Sequence, residues 1–256
     1  MVTITDLTPP RSRSASVSTT SSDAALPSFE SLAPPRPPTT KAEEETRVVV
    51  EGLRDEVRLK VDAGPGCGGI AWPSGEVLSR YIAYRHGLDP SCLQNKKILE
   101  LGSGTGLVGI VAGILEPSCE VWVTDQSILL DLMKVNAELN LPSTQHKRNV
   151  HVAELNWGED LPKSIPVKEL DIILAADCVY FEPAFPLLVQ TLCDLAPIDK
   201  EVEILFCWKK RRKADKRFFA MLKKHFNQFP VDDDKPGAKE VYSREGVSLM
   251  RLVRKK

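Results

Sequence analysis

Two acids and three glycines carry the first chemical signal in this chain. The stretch ILELGSGTGLVG (98–109) sets Glu100 directly before Gly102, Gly104 and Gly106, and Asp125 follows 19 residues after Gly106. Glycines let a backbone turn sharply and approach a ligand closely, and a helix start behind them offers free N–H donors. The spacing is G-x-G-x-G, with Leu107 where a dinucleotide fingerprint needs its third glycine. An acid at the tip of the next strand is placed to accept both hydroxyls of a ribose, and it would repel a phosphate. A ribonucleoside therefore suits the pair. Glu100, a carboxylate in an apolar run, needs donors if buried. Either it meets them at the ligand, or local loop amides supply them.

Three further places could take part. Trp72 lies in the glycine-rich stretch GPGCGGIAWPSG (64–75), and Trp157 follows the run NVHVAEL and precedes Gly158. Either indole could cover a base or simply pack a loop onto the core. The run AADCVY (175–180) ends an apolar segment with Asp177 and Tyr180. Asp177 could face a substrate, cap the helix expected nearby, or do both.

The elements needed to position these residues can be read from hydrophobic periodicity. Short strands are expected at 48–50 and 57–61, then a helix from about Gly75 to His86 stopped by Gly87. Strands follow at 97–101, 120–125, 149–155, 170–177 and 201–208. Helices are expected near 106–115, 127–140, 183–195 and 212–227. A short strand near 239–243 and a last one at 247–253, joined through Arg244-Glu245-Gly246, read as an antiparallel hairpin. Three of these runs are β-branched and almost wholly apolar, as central parallel strands covered on both faces are. The expected fold is α/β, a doubly wound and mostly parallel sheet with an antiparallel C-terminal strand.

Residues 1–45 are rich in Ser, Thr and Pro and poor in aliphatics, which predicts a disordered tail ahead of a domain at 46–256. Of the 256 residues 42% are hydrophobic and 27% charged, with a net charge of −1, so non-specific nucleic-acid or membrane binding is not the expected activity. No apolar run is long enough for a membrane span. Six scattered cysteines without a C-x-x-C pair argue against a zinc site or a disulfide framework, and for a reducing, cytoplasmic setting. Cys178 and Cys207 sit in apolar runs and read as core residues.

Taken together, Glu-Leu-Gly-Ser-Gly-Thr-Gly-Leu-Val-Gly, the Val-Thr-Asp ending at Asp125, Trp72, Asn156-Trp157 and Asp177-Cys178-Val179-Tyr180 resemble methyltransferase family 16. These are the seven-stranded protein-lysine methyltransferases, with a D-x-x-Y/F hallmark. The resemblance spans about 47–253. It implies S-adenosyl-L-methionine as cofactor, with Trp72 beside its methionine part, Gly102, Ser103 and Gly104 approaching it by backbone, and Asp125 on the ribose. It further implies Trp157 by the adenine, Ala176 in contact with the cofactor, and Asp177 and Tyr180 facing the target lysine. Glu100 is grouped with the cofactor residues. The runs DCVYFEPAFPLL and FCWKKRRKADKRFF are similar to members acting on translation elongation factor 1-alpha, which implies that protein as partner and a monomeric enzyme using no metal. Methylation of nucleic acid or a small molecule, or a fold retained only for binding, are the competing readings.

Methyl transfer to lysine needs the amine deprotonated. At pH 7 this costs roughly 4–5 kcal/mol, at about 1.4 per pH unit. An apolar wall of Tyr180, with Phe181 or Trp208, would lower that cost. Asp177 would orient the ammonium, yet it would also favour the unreactive charged form. Lys209 to Arg217 hold seven basic residues in nine, read as a contact surface for an acidic protein or RNA, a localisation signal, or a solvated helix start.

Overall fold

Apolar strands alternating with amphipathic or apolar helices build the expected doubly wound fold. The computed structural model describes residues 44–62, 67–141 and 149–256, so the expected tail lies outside the described residues except for its last two positions. The chain runs β1 (Glu44–Val48), β2 (Val57–Val61), α1 (Pro73–Leu88), β3 (Lys97–Leu101), α2 (Leu107–Leu115), β4 (Glu120–Asp125) and α3 (Leu130–Asn140). It continues with β5 (Val150–Glu154), β6 (Ile172–Ala176), α4 (Phe185–Leu195), β7 (Glu203–Lys209), α5 (Asp215–His225), β8 (Phe226–Pro230), α6 (Ala238–Arg244) and β9 (Val247–Arg254).

Strands β5-β4-β3-β6-β7-β9-β8 form one seven-stranded sheet, while β1 and β2 pair as a separate antiparallel ribbon. Only β9 of the large sheet runs against its neighbours, β7 and β8. The C-terminal hairpin expected from sequence is corrected here. Residues 238–244 are helical and follow Gly237 in a left-handed conformation (φ 83°). Val241 is exposed and Tyr242 buried, so the apparent alternation was a single inward residue on a short helix. The partner of β9 on its outer side is β8, whose residues had been read as the end of a helix and a loop.

Alternate residues of the central strands serve opposite faces. Leu99, Ile173, Ile204 and Phe206 join α4 and α5 on one side, with the Phe218 ring 5.5 Å from that of Phe185 and 5.7 Å from that of Phe206. Ile98, Val121, Leu174 and Cys207 join α1, α2 and α3 on the other. Burying each large side chain contributes about 1.5–3 kcal/mol. Cys178 and Cys207 are buried free thiols, as their sequence surroundings indicated.

Helix α2, LVGIVAGIL, is apolar all round because the sheet lies beneath it and the β1–β2 ribbon with α1 covers its outer side. Its closeness to the sheet depends on Gly109, where an added Cβ would stand 2.4 Å from Val123. The ribbon is fastened by Asn136 of α3. That buried amide accepts from the Lys60 N–H at 2.7 Å and donates to the carbonyls of Lys60 and Thr105, each at 3.0 Å.

Candidate active site

The strand order reverses direction between β3 and β6, and open α/β sheets bind ligands at such a switch point, beyond the carboxyl ends of the strands. Gly102 to Gly106 leave β3 there, Asp125 ends β4, Trp157 follows β5, and Ala176 to Tyr180 leave β6. Residues from Gly102 to Tyr180 thus meet at one edge.

The glycine turn is left-handed at each glycine, with φ of 63° at Gly102, 59° at Gly104 and 81° at Gly106. Gly104 is the most constrained. A Cβ there would lie 2.4 Å from the Gly68 carbonyl oxygen, because the loop before α1 crosses the turn. At Gly102 a Cβ would come within 3.0 Å of the Trp157 ring and 3.1 Å of Cys178 Sγ. Helix α2 starts without a side-chain cap.

Asp125 is half-buried and accepts from two amides, Gly104 N–H at 2.8 Å and Gln126 N–H at 2.8 Å. Its carboxylate is therefore fixed at the lip of the turn.

Two residues grouped with the cofactor in the sequence reading, Glu100 and Ser103, also hold the turn itself. Glu100 is only 2% exposed, and its Oε2 accepts from the Gly109 N–H at 2.9 Å. Burial pushes its carboxyl up to about 7, opposed by the hydrogen bonds from Gly109, Ser103 and Val108. Glu100 thus meets helix amides, the second of its two sequence readings, and pins α2 to β3. Ser103 is similarly engaged. Its N–H donates to the Thr124 carbonyl, its carbonyl accepts from Gly106, and its hydroxyl donates to the Glu100 carbonyl while accepting from the Thr124 N–H.

On the other side, Trp157 is buried at 8% exposure, with its ring 6.4 Å from that of Tyr180 and edge-on to it. Gly158 anchors it by donating to Thr191 Oγ1 of α4 at 2.8 Å. Tyr180, Phe181 and Trp208 all pack partly buried against the same apolar cluster.

Asp177 caps no helix, since α4 begins at Phe185. It has φ of 61°, is nearly buried, and forms a two-pronged ion pair with Arg211, Nη1–Oδ1 2.6 Å and Nη2–Oδ2 2.7 Å. The Arg211 guanidinium also lies 5.2 Å from the Trp72 ring centre. This links Trp72, Arg211 and Asp177, three residues from separate parts of the chain.

The basic run spans the end of β7, the following loop and the first turn of α5, which begins at Asp215 and takes in Lys216 and Arg217. Arg212 donates to the Tyr180 carbonyl, and Arg217 pairs with Glu182. Buried Asp215 accepts from the Arg211 and Arg212 amides at 2.9 and 3.0 Å. The roles of Arg211 and Asp215 were missed from sequence. The available signal was a single acid within a run of bases, the pattern of a carboxylate at a helix start.

A family model described as lysine methyltransferase matches residues 53–225. The chain belongs to that lysine methyltransferase family. Protein-lysine N-methyltransferase EFM6 of Saccharomyces cerevisiae is 40% identical over 222 residues, covering 79% of this chain and 88% of the yeast protein. Protein N-lysine methyltransferase METTL21A of Danio rerio is 37% identical over 191 residues, covering 75% and 79%. EEF1A lysine methyltransferase 3 of Mus musculus is 34% identical over 134 residues, covering 52% and 55%. In this lysine methyltransferase Asp177 and Tyr180 flank Cys178, whose Sγ would lie 3.1 Å from a Cβ placed at Gly102.

Proposed function

We infer that the chain is an S-adenosyl-L-methionine-dependent protein-lysine N-methyltransferase, acting as a cytoplasmic monomer on a lysine of translation elongation factor 1-alpha. The observation that carries this reading is the shared edge on which a glycine turn and Asp125 stand beside Asp177 and Tyr180. The names of the yeast and mouse relatives support the choice of substrate.

The residues fit the cofactor. Asp125 would hold the ribose, the turn at Gly102 and Gly104 would admit the chain of the methionine part, and Trp157 and Trp72 would flank its two ends. When bound, the cofactor supplies a methyl group on a cationic sulfur, which needs no covalent enzyme intermediate. The protein's own contribution is alignment and exclusion of water. Tyr180 and Phe181 would line the way in for the lysine stem, and their apolar surface lowers the cost of losing its proton. The bases around that mouth favour a protein surface bearing carboxylates.

The deciding experiment has two parts. Calorimetric titration with S-adenosylhomocysteine should give saturable heat. Mass spectrometry of elongation factor 1-alpha from cells with and without this gene should show one lysine losing its methyl groups. Absence of heat with well-folded protein removes the cofactor, and an unchanged factor removes the substrate.

A further inference from the structure

Asp177 presents a problem of sign. A bare carboxylate facing the target lysine would stabilise the ammonium and so hold the nucleophile in its unreactive form. Three carboxyls share this end of the sheet, since Asp125, Asp177 and Glu100 all act on the Cys178 thiol. Left alone, that concentration of acid would work against deprotonation.

The structure answers it with Arg211. Both Asp177 oxygens are taken by its guanidinium, and Oδ1 also accepts from the Lys209 N–H at 3.3 Å. A planar fork on a carboxylate is the strongest form of such a pair, and it fixes geometry as well as charge. Asp215 sets the backbone of Arg211 from one side, and the Trp72 ring borders its guanidinium from the other. The other charged residues of the loop, Lys209, Lys210, Arg212 and Lys213, are cationic, Arg212 reaches the Tyr180 carbonyl, and Glu182 on the facing loop is paired with Arg217. Behind Asp177 the thiols of Cys178 and Cys207 are neutral, pushed well up by burial.

We propose that Arg211 is a positioning residue which neutralises Asp177 and thereby sets the protonation of the target lysine. This rests on the reading above, in which that lysine arrives between Asp177 and Tyr180. The amine meets a mouth that is neutral to cationic, releases one proton to solvent, and attacks with its freed lone pair. Its nitrogen gains the bond to the methyl carbon, the carbon–sulfur pair returns to sulfur, and the positive charge passes from sulfur to nitrogen. Asp177 keeps an orienting role through the fixed pair rather than as a free anion.

The test is the pH dependence of kcat between pH 6 and 10, using the full chain and unmethylated elongation factor 1-alpha made in bacteria. Arg211→Gln should lower kcat about tenfold at pH 7 and move the apparent pKa of the rise upward by about one, with rates converging near pH 10. Affinity for S-adenosylhomocysteine should change less than about twofold, and Arg211→Lys, which keeps the charge, should restore most of the profile. The double variant Asp177→Asn with Arg211→Gln should return towards the parental profile, which keeps the test open if the single variant folds poorly. A loss of rate equal at every pH, or a loss confined to cofactor affinity, overturns the proposal. Parental protein that methylates no lysine overturns the functional reading and this proposal with it; active parental protein with an unmoved profile overturns the proposal alone.

Discussion

The Gly104 N–H donates to Asp125 Oδ2 at 2.8 Å, across 21 residues of sequence. This single bond sets the acid at the end of β4 against the tightest point of the turn after β3, so the Asp125 carboxylate and the glycine turn move as one. Replacing Asp125 with Asn removes the charge and leaves one oxygen to accept, so either the Gly104 or the Gln126 N–H faces the new NH2 group. Hydrogen bonds to charged groups contribute about 1.5–3 kcal/mol, so affinity for S-adenosylhomocysteine should fall roughly 10- to 100-fold. Calorimetry reads this directly, and the melting temperature should fall slightly, because one of the two amide donors loses its acceptor. Unchanged affinity would remove Asp125 from the ligand.

Gly104→Ala meets two obstacles. Its φ of 59° disfavours any side chain, and the new methyl would collide with the Gly68 carbonyl at 2.4 Å. Left-handed strain alone costs about 1–2 kcal/mol, and shifting the neighbouring backbone adds to it. Thermal denaturation should show the loss, and cofactor titration should show weaker binding even where the protein remains folded.

Glu100 gives the fold a pH signature. Its carboxyl titrates at about 7 in the folded protein against an ordinary 4.5, so the native state binds that proton more tightly than the unfolded chain. The stabilisation is therefore complete below pH 4.5 and disappears as pH rises through 7, a swing of roughly 3 kcal/mol. Glu100→Gln keeps an acceptor for the Gly109 N–H but cannot titrate. Melting temperatures measured from pH 4.5 to 8.5 should lose this component of the slope in the variant, which should gain on the parent at the alkaline end. Parallel curves would refute the assignment.

Asp215 acts at a distance from the chemistry. Its Oδ2 serves two amides, and Asp215→Ala strips both of their acceptor. The donors belong to the exposed residues Arg211 and Arg212, so water partly replaces the lost acceptor and each bond is worth about 0.5–1.5 kcal/mol. Chemical denaturation should show a loss in that range. Turnover should drop further than stability accounts for, because the Arg211 backbone loses its anchor; equal turnover at saturating substrate would count against that link.

The central sheet was legible because β3, β4 and β6 are apolar runs of the right length, each ending in a turn signal. The C-terminal part was not. In residues 226–244 the apolar residues are few, and Phe226 and Tyr242 are buried by contacts with distant elements. Local periodicity cannot distinguish a lone inward tyrosine on a short helix from one on a strand. The site divides in the same way. Asp125, Trp157 and Asp177 stand at strand ends, where position in the fold can be inferred. The partners of Glu100 and Asp177 come from backbone amides and from an arginine 34 residues downstream. Pairings of that kind are decided by tertiary closure, and no spacing rule announces them.

Asn136 joins the peptide of Lys60, in the small ribbon, to the carbonyl of Thr105, inside the glycine turn. The β1–β2 ribbon, residues 44–61, is thereby tied to the glycine turn, although it carries none of the motif residues. A shortened chain that starts after β2 would keep every hallmark residue and still lose the strut beneath its cradle. In this protein, where the enzyme begins is settled by an amide in the third helix rather than by the first signature glycine.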